Sequence, residues 1–219
     1  MTDYTETNGI IIKVQPVGEY DKRVTMLTKE LGKVSAFARG ARRQGSALMG
    51  VTRIFACGSF RLREGRDSYV LCSARIDNFF EPLFKDVESS CYGTYFLELA
   101  DYYSRESMSE PQMIKLLYYA LTALTRPSLP HKLVRRIFEL RMMKIEGQYD
   151  AKPVRAGGEV GATAAFTWDF ILNTPIEKLF TFTLKDEVLS ELEECVDRSL
   201  NKYVDKKMNS LEILESIDK

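Results

Sequence analysis

The period of the apolar residues changes once along this chain, near residue 86, from two to about 3.6. A period of two is a strand with one face buried, and a period of 3.6 is an amphipathic helix. The chain therefore reads as a β half followed by a helical half. In the first half, Gly9–Val17 is rich in Ile and Val, and Val17-Gly18-Glu19 marks a turn. Arg23–Thr28 follows, then a Glu30-Leu31-Gly32-Lys33 turn. Val34, Ala36 and Ala38 then alternate with Ser35, Phe37 and Arg39, as in a half-buried strand. Gly40–Gly50 has three glycines, the run Arg42-Arg43-Gln44 and little β pattern, and reads as a long basic loop. In Arg53–Arg63, Ile54, Ala56, Phe60 and Leu62 share one face, and Arg53, Phe55, Arg61 and Arg63 the other. Glu64-Gly65-Arg66-Asp67 is a hairpin turn, and Asp67–Asp77 is the fifth strand. Five short strands in about 70 residues fit a small barrel or a sandwich.

In the second half, Cys91, Tyr95, Leu99 and Tyr102 recur at helical spacing. Ser109-Glu110-Pro111-Gln112 has the form of a capping box with proline in the first turn, opening a helix to about Thr125. His131–Glu146 is a third helix, stopped by Gly147. Residues 148–163 are irregular, 164–184 suggest a short helix and a turn, and helices follow at Leu184–Val204 and Ser210–Ile217.

The formal net charge of zero hides an asymmetry. Residues 29–75 hold 10 Lys or Arg against 3 Asp or Glu. A basic stretch on a neutral chain points to a polyanionic partner. Met1–Glu6 has no basic or apolar leader pattern, and the longest apolar run, Leu116–Leu124, is far short of a membrane span. The four cysteines are scattered, which fits reduced thiols in the cytoplasm.

Catalytic machinery is hard to assemble from this sequence. His131 is its one histidine and sits at a helix start, where a solvated or satisfied imidazole is the ordinary case. Neither glycine-rich phosphate loop is present, nor any Cys or His pair at zinc spacing. The carboxylates Glu191, Glu193 and Glu194 read as a solvated helix face. No catalytic residue, cofactor or metal is expected. What remains is the basic β region. Lys and Arg neutralise phosphates and release counterions, and aromatic rings stack bases without regard to sequence. The candidate DNA contacts are Lys33, Phe37, Arg39, Arg42, Arg43, Arg53, Arg61 and Arg63. Phe37 and Phe55 are either stacking platforms or core residues.

The run Gly32-Lys33-Val34-Ser35-Ala36-Phe37-Ala38-Arg39-Gly40-Ala41-Arg42-Arg43 resembles the signature of the bacterial RecO family. Its approach through Ile10–Val17, Gly18-Glu19-Tyr20-Asp21 and Leu27–Gly32 is similar to the family's, as are the helices around Tyr95–Leu99 and Val134–Arg141. The resemblance covers nearly the whole chain. It implies an α+β protein: a five-stranded OB-fold β-barrel in residues 1–80, then an all-helical domain in 81–219. It also implies a recombination mediator without enzymatic chemistry, bacterial, cytoplasmic and nucleoid-associated. Such a protein binds single- and double-stranded DNA, anneals strands coated with single-strand binding protein, and with RecR assists RecA loading. An OB-fold module that binds only proteins is the alternative.

One departure stands out. Many family members carry two Cys-x-x-Cys pairs after the helix that here ends at Gly147, and residues 148–182 contain no cysteine. Residues 148–183 are expected to be irregular in place of a zinc lobe, held by packing of Phe166, Trp168 and Phe170. By analogy with the family, Arg135 and Arg136 are candidates to hold the acidic tail of single-strand binding protein. The alternative for both is that they face solvent or pair with Glu139 at i+4 and i+3.

Overall fold

The computed structural model describes residues 4–65 and 68–217. Strands β1 (Tyr4–Val17), β2 (Asp21–Thr28), β3 (Gly32–Ala38), β4 (Cys57–Glu64) and β5 (Tyr69–Asn78) form a closed barrel in the order β1-β2-β3-β5-β4. Of the barrel and sandwich that the strand pattern left open, this is the barrel, with the five strands that the family resemblance implies. Closure depends on the length of β1, which pairs twice. Gly9–Val17 lies antiparallel to β2, and Tyr4–Ile10 antiparallel to β4. A bulge between Ile11 and Lys13 bends the strand between its two partners. Among the described residues, β3 and β5 pair in parallel at Ala36–Tyr69 and Phe37–Val70.

The period-two pattern sorts the side chains as read. Val34, Ala36 and Ala38 point into a core with Ile11, Val24, Met26, Phe60, Leu62 and Leu71, while Lys33, Ser35 and Phe37 are half-exposed on the wall. Arg53–Ala56 departs from the expected strand. These residues form a turn before β4, with Phe55 at a φ of 67°. Its N–H donates to the Ile11 carbonyl at 3.0 Å and its ring is fully buried. Phe55 is therefore a core residue and not an outward platform. At the β4–β5 hairpin, the Gly65 N–H donates to the Ser68 carbonyl at 3.0 Å. Arg66 and Asp67 of the expected turn and strand start lie outside the described residues.

The helices are α1 (Val87–Tyr103), α2 (Pro111–Leu124), α3 (His131–Ile145), α4 (Ala162–Asn173), α5 (Asp186–Tyr203) and α6 (Asn209–Ile217). The chain divides into two compact units, Met1–Glu81 with Leu97–Ile114, and Pro82–Phe96 with Lys115–Lys219.

In the first unit, the segment after α1 lies along the start of β3. Glu106 bridges to Gly32 and Lys33. Gly32 has a φ of 68°, and a Cβ there would stand 2.3 Å from the Met108 carbonyl oxygen, so only glycine fits. Ser109 does not cap α2 as expected; its hydroxyl donates to the Lys29 carbonyl instead.

In the second unit, Phe96 and Phe138 stack with ring centres 4.1 Å apart, both fully buried. The stretch after α3 is organised by Asp150. Its carbonyl accepts the Trp168 indole N–H at 3.2 Å, and its carboxylate accepts from Ser199 (3.0 Å) and Lys202 (2.7 Å) of α5. Trp168 is buried and Phe170 half-buried; Phe166 is 70% exposed, with its ring centre 6.5 Å from that of Phe170.

Candidate nucleic-acid interface

The barrel presents its cations in two different states. Some are engaged by the protein itself. Lys33 Nζ donates to the Asp101 carbonyl at 2.8 Å and lies 3.1 Å from its carboxylate, and the two side chains are 22% and 29% exposed. Arg53 pairs with Glu81 and packs 4.1 Å from the ring centre of Phe79.

The others face solvent. Arg39 follows the end of β3 and is exposed. The loop after it is shaped by Asp21, whose carboxylate accepts the Gly40 N–H at 2.7 Å, and by Gly40 at a φ of 67°. The Arg42 N–H then donates to the Tyr20 carbonyl at 2.8 Å, and its guanidinium donates to the Gly18 carbonyl at 3.0 Å. The Arg43 guanidinium lies 4.7 Å from the Tyr20 ring centre. Arg61 and Arg63 stand on the outer face of β4, with Arg61 4.1 Å from the Tyr4 ring centre. Phe37 is half-exposed, with Arg23 5.9 Å from its ring centre. Among the described residues, no carboxylate forms an ion pair with Arg23, Arg39, Arg42, Arg43, Arg61 or Arg63. Arg23 Nε also donates to the Ser35 hydroxyl at 2.7 Å. Exposed arginine beside an aromatic ring, with no carboxylate partner, is suited to phosphates and exposed bases. Arg23, Tyr4 and Tyr20 were not singled out in the sequence. The β2–β3 hairpin register sets Arg23 opposite Phe37, and the β1–β4 register, which is non-local, sets Tyr4 opposite Arg63.

Arg135 and Arg136 of α3 sit in a different setting. Arg135 Nε donates to Glu139 at 2.8 Å; Arg136 contacts Glu139 at 3.0 Å and pairs with Asp197 and Glu193. The pairing with Glu139 anticipated from their spacing is present. Both also line an open cleft of about 620 Å³ with Leu200, Lys206, Lys207 and Met208.

Comparison with known proteins settles the family. The model for the N-terminal domain of recombination protein O matches residues 1–80, and that for its C-terminal domain matches residues 85–149. The chain belongs to the RecO family. A DNA repair protein RecO of Acetivibrio thermocellus is 23% identical, with 99% of this chain and 98% of that protein aligned. One from Clostridium perfringens is 26% identical over 97% of this chain and 98% of its own length. One from Clostridium kluyveri is 30% identical over 65% of this chain and 55% of its own length. The RecO-family chain thus carries an OB-fold barrel followed by helices and belongs to a family of DNA repair proteins. None of its helices among the described residues is long and apolar enough to cross a membrane.

The residues that follow α3 do not fit a four-thiolate zinc site. None of the four free cysteines lies there; Cys195 is buried in α5, and Cys57, Cys72 and Cys91 stand elsewhere in the chain. Asp86, Glu88 and His131 are the one trio among the described residues with potential ligand atoms within 4.8 Å of one another. Each has an ordinary role. Asp86 accepts the Ser89 N–H at 2.8 Å at the start of α1, and the Ser89 hydroxyl with it. His131 Nε2 lies 3.3 Å from the Leu124 carbonyl, and Nδ1 3.4 Å from Glu88.

Proposed function

We propose that this protein is a recombination mediator. The barrel of residues 1–80 binds single- and double-stranded DNA and brings complementary single strands together. The helical residues 81–219 hold the tail of single-strand binding protein, and with RecR the protein assists RecA loading at the bacterial nucleoid. The reading is supported above all by the exposed, carboxylate-free set Arg39, Arg42, Arg43, Arg61 and Arg63 beside the rings of Phe37, Tyr4 and Tyr20. Its mechanism is electrostatic. Two strands repel through their phosphates; arginines that neutralise both lower that repulsion and let bases pair. No covalent bond is made or broken, so a dedicated acid, base or metal is not needed.

The cleft beside Arg135 supports the partner reading. It sets Lys206, Lys207 and the two arginines around apolar Leu200 and Met208, with Asp197, Asp205 and Glu212 also in the lining and Asp197 paired with Arg136. An acidic segment with an apolar end needs cations for its carboxylates and a pocket for its side chain.

The test is annealing of complementary strands coated with single-strand binding protein. The protein is expected to accelerate annealing well above the spontaneous rate, and an Arg42→Ala, Arg43→Ala variant to lose most of that acceleration. Acceleration equal to background rejects the mediator reading.

A further inference from the structure

Nε2 of His131 has two neighbours, the Leu124 carbonyl at 3.3 Å and the Ser89 hydroxyl oxygen at 3.2 Å. A carbonyl only accepts hydrogen bonds. The Ser89 hydroxyl gives its hydrogen to Asp86 at 2.5 Å, so towards His131 its oxygen accepts as well. Nε2 therefore carries the proton of the neutral ring, and Nδ1 has the lone pair. Nδ1 lies 3.4 Å from a Glu88 carboxylate oxygen. Two acceptors this close are held together by a cation between them. A tetrahedral ion with bonds of about 2.1 Å sets its ligand atoms roughly 3.4 Å apart, which is the separation of this pair. Asp86 completes a trio whose ligand atoms all lie within 4.8 Å of one another. It is exposed, and a carboxylate has about four lone-pair sites, so Asp86 has room for Ser89 and an ion together.

We propose that His131 Nδ1, with one oxygen each from Glu88 and Asp86, binds a divalent transition-metal ion of the zinc class, and that water fills the remaining position. An imidazole ligand selects zinc, cobalt or nickel over magnesium and calcium. Metal-bound histidine commonly gives its other ring N–H to a backbone carbonyl, as His131 does to Leu124. The buried Tyr92 ring, its centre 5.8 Å from that of the imidazole, fixes the plane of the ligand. Glu88 and His131 also line an open cavity of about 440 Å³ with Asp186 and Lys132, which gives the ion a path from solvent. Asp186 adds a carboxylate to that path and Lys132 an opposing charge. The ion ties the residues that open α1 to the first residue of α3, within one compact unit. It is a brace for the helical unit, and it is independent of DNA binding by the barrel.

The experiment takes the full chain, stripped of metal with a chelator, and titrates zinc chloride by calorimetry and cobalt chloride by absorption. One equivalent of each is expected to bind, and excess zinc to raise the melting temperature, because a ligand of the folded state stabilises it. Magnesium chloride should do neither. His131→Ala and Glu88→Gln are each expected to lower zinc affinity at least about tenfold, since even the loss of a residue behind a ligand costs that much. Glu88 is 48% exposed and glutamine keeps its shape, so Glu88→Gln tests the site without disturbing the fold, and its metal-free melting should match that of the unaltered protein. Cobalt held by nitrogen and oxygen should show visible bands without the near-ultraviolet absorption of a thiolate ligand. Thiolate absorption assigns the metal to one of the four free cysteines and overturns the site. Unchanged zinc affinity in both variants overturns it as well. No saturable zinc binding leaves a proton as the cation between Nδ1 and Glu88, and overturns it too.

Discussion

The Tyr95 hydroxyl donates a 2.6 Å hydrogen bond to Glu139, a carboxylate with no exposed surface. Arg135 and Arg136 complete the set around it. Burial by itself raises the Glu139 pKa, but the Arg136 and Arg135 guanidiniums, with the Tyr95 hydroxyl, outweigh it and hold the group below the ordinary carboxylate value. A group depressed in the folded state gives its full stabilisation above its unfolded pKa, about 4.3 for Glu, and loses it as pH falls through the lower folded value. Urea unfolding followed against pH should therefore show stability dropping below about pH 4. Glu139→Gln leaves Arg135 without its carboxylate partner and Arg136 with Asp197 and Glu193 alone. It should cost about 3–5 kcal/mol at neutral pH and flatten the acid dependence.

Phe138, fully buried and stacked on Phe96, should cost about 3–5 kcal/mol when changed to Ala. Phe166, exposed on α4, should cost less than about 0.5 kcal/mol. Paired denaturant titrations measure both. Similar losses at the two positions would contradict the packing described.

Lys33→Met separates a packing lysine from a DNA contact. The side chain is held by Asp101 and partly shielded from solvent, so its loss should lower stability by about 1 kcal/mol. DNA affinity should change little. A large loss of affinity without loss of stability would return Lys33 to the interface.

Replacing Arg42 and Arg43 together by Ala should weaken binding to all sequences, single- or double-stranded. It should also reduce the log–log salt slope by roughly 1.5–2, one phosphate contact per residue. An unchanged slope would remove the loop from the site.

The broad architecture was legible because the two apolar periods are each well kept: Val34, Ala36 and Ala38 inward on β3, and Val134, Ile137 and Phe138 inward on α3. The glycine–arginine run around Arg39–Arg43 likewise carried the family and the basic loop in local sequence. What was not legible depends on contacts distant in sequence. Tyr4–Asn8 is polar and carries little strand signal, yet it closes the barrel by pairing with β4. Phe55 fits an outward alternation but turns into the core, because the chain adopts a positive φ there and donates to Ile11. Ser109 has the sequence of a cap but is drawn to Lys29, 80 residues away. The separation of Lys33 and Arg53 from the solvent-facing arginines follows from Asp101 and Glu81, which no local pattern marks.

The cleft of the helical unit gives a further prediction. A peptide with several carboxylates and an apolar C-terminal side chain should bind with an affinity that falls as salt rises. Lys206→Glu with Lys207→Glu should abolish that binding and leave DNA binding unaltered. Loss of DNA binding in the same variant would point to a shared surface instead.

The central claim is that the barrel binds DNA through its phosphates. The most direct measurement is anisotropy of a labelled mixed-sequence single strand titrated with protein at several salt concentrations. Five phosphate contacts predict micromolar or tighter binding at low salt and a log–log slope near −3.5. No binding at low salt, or binding without salt dependence, would contradict the claim and leave the barrel as a protein-interaction module.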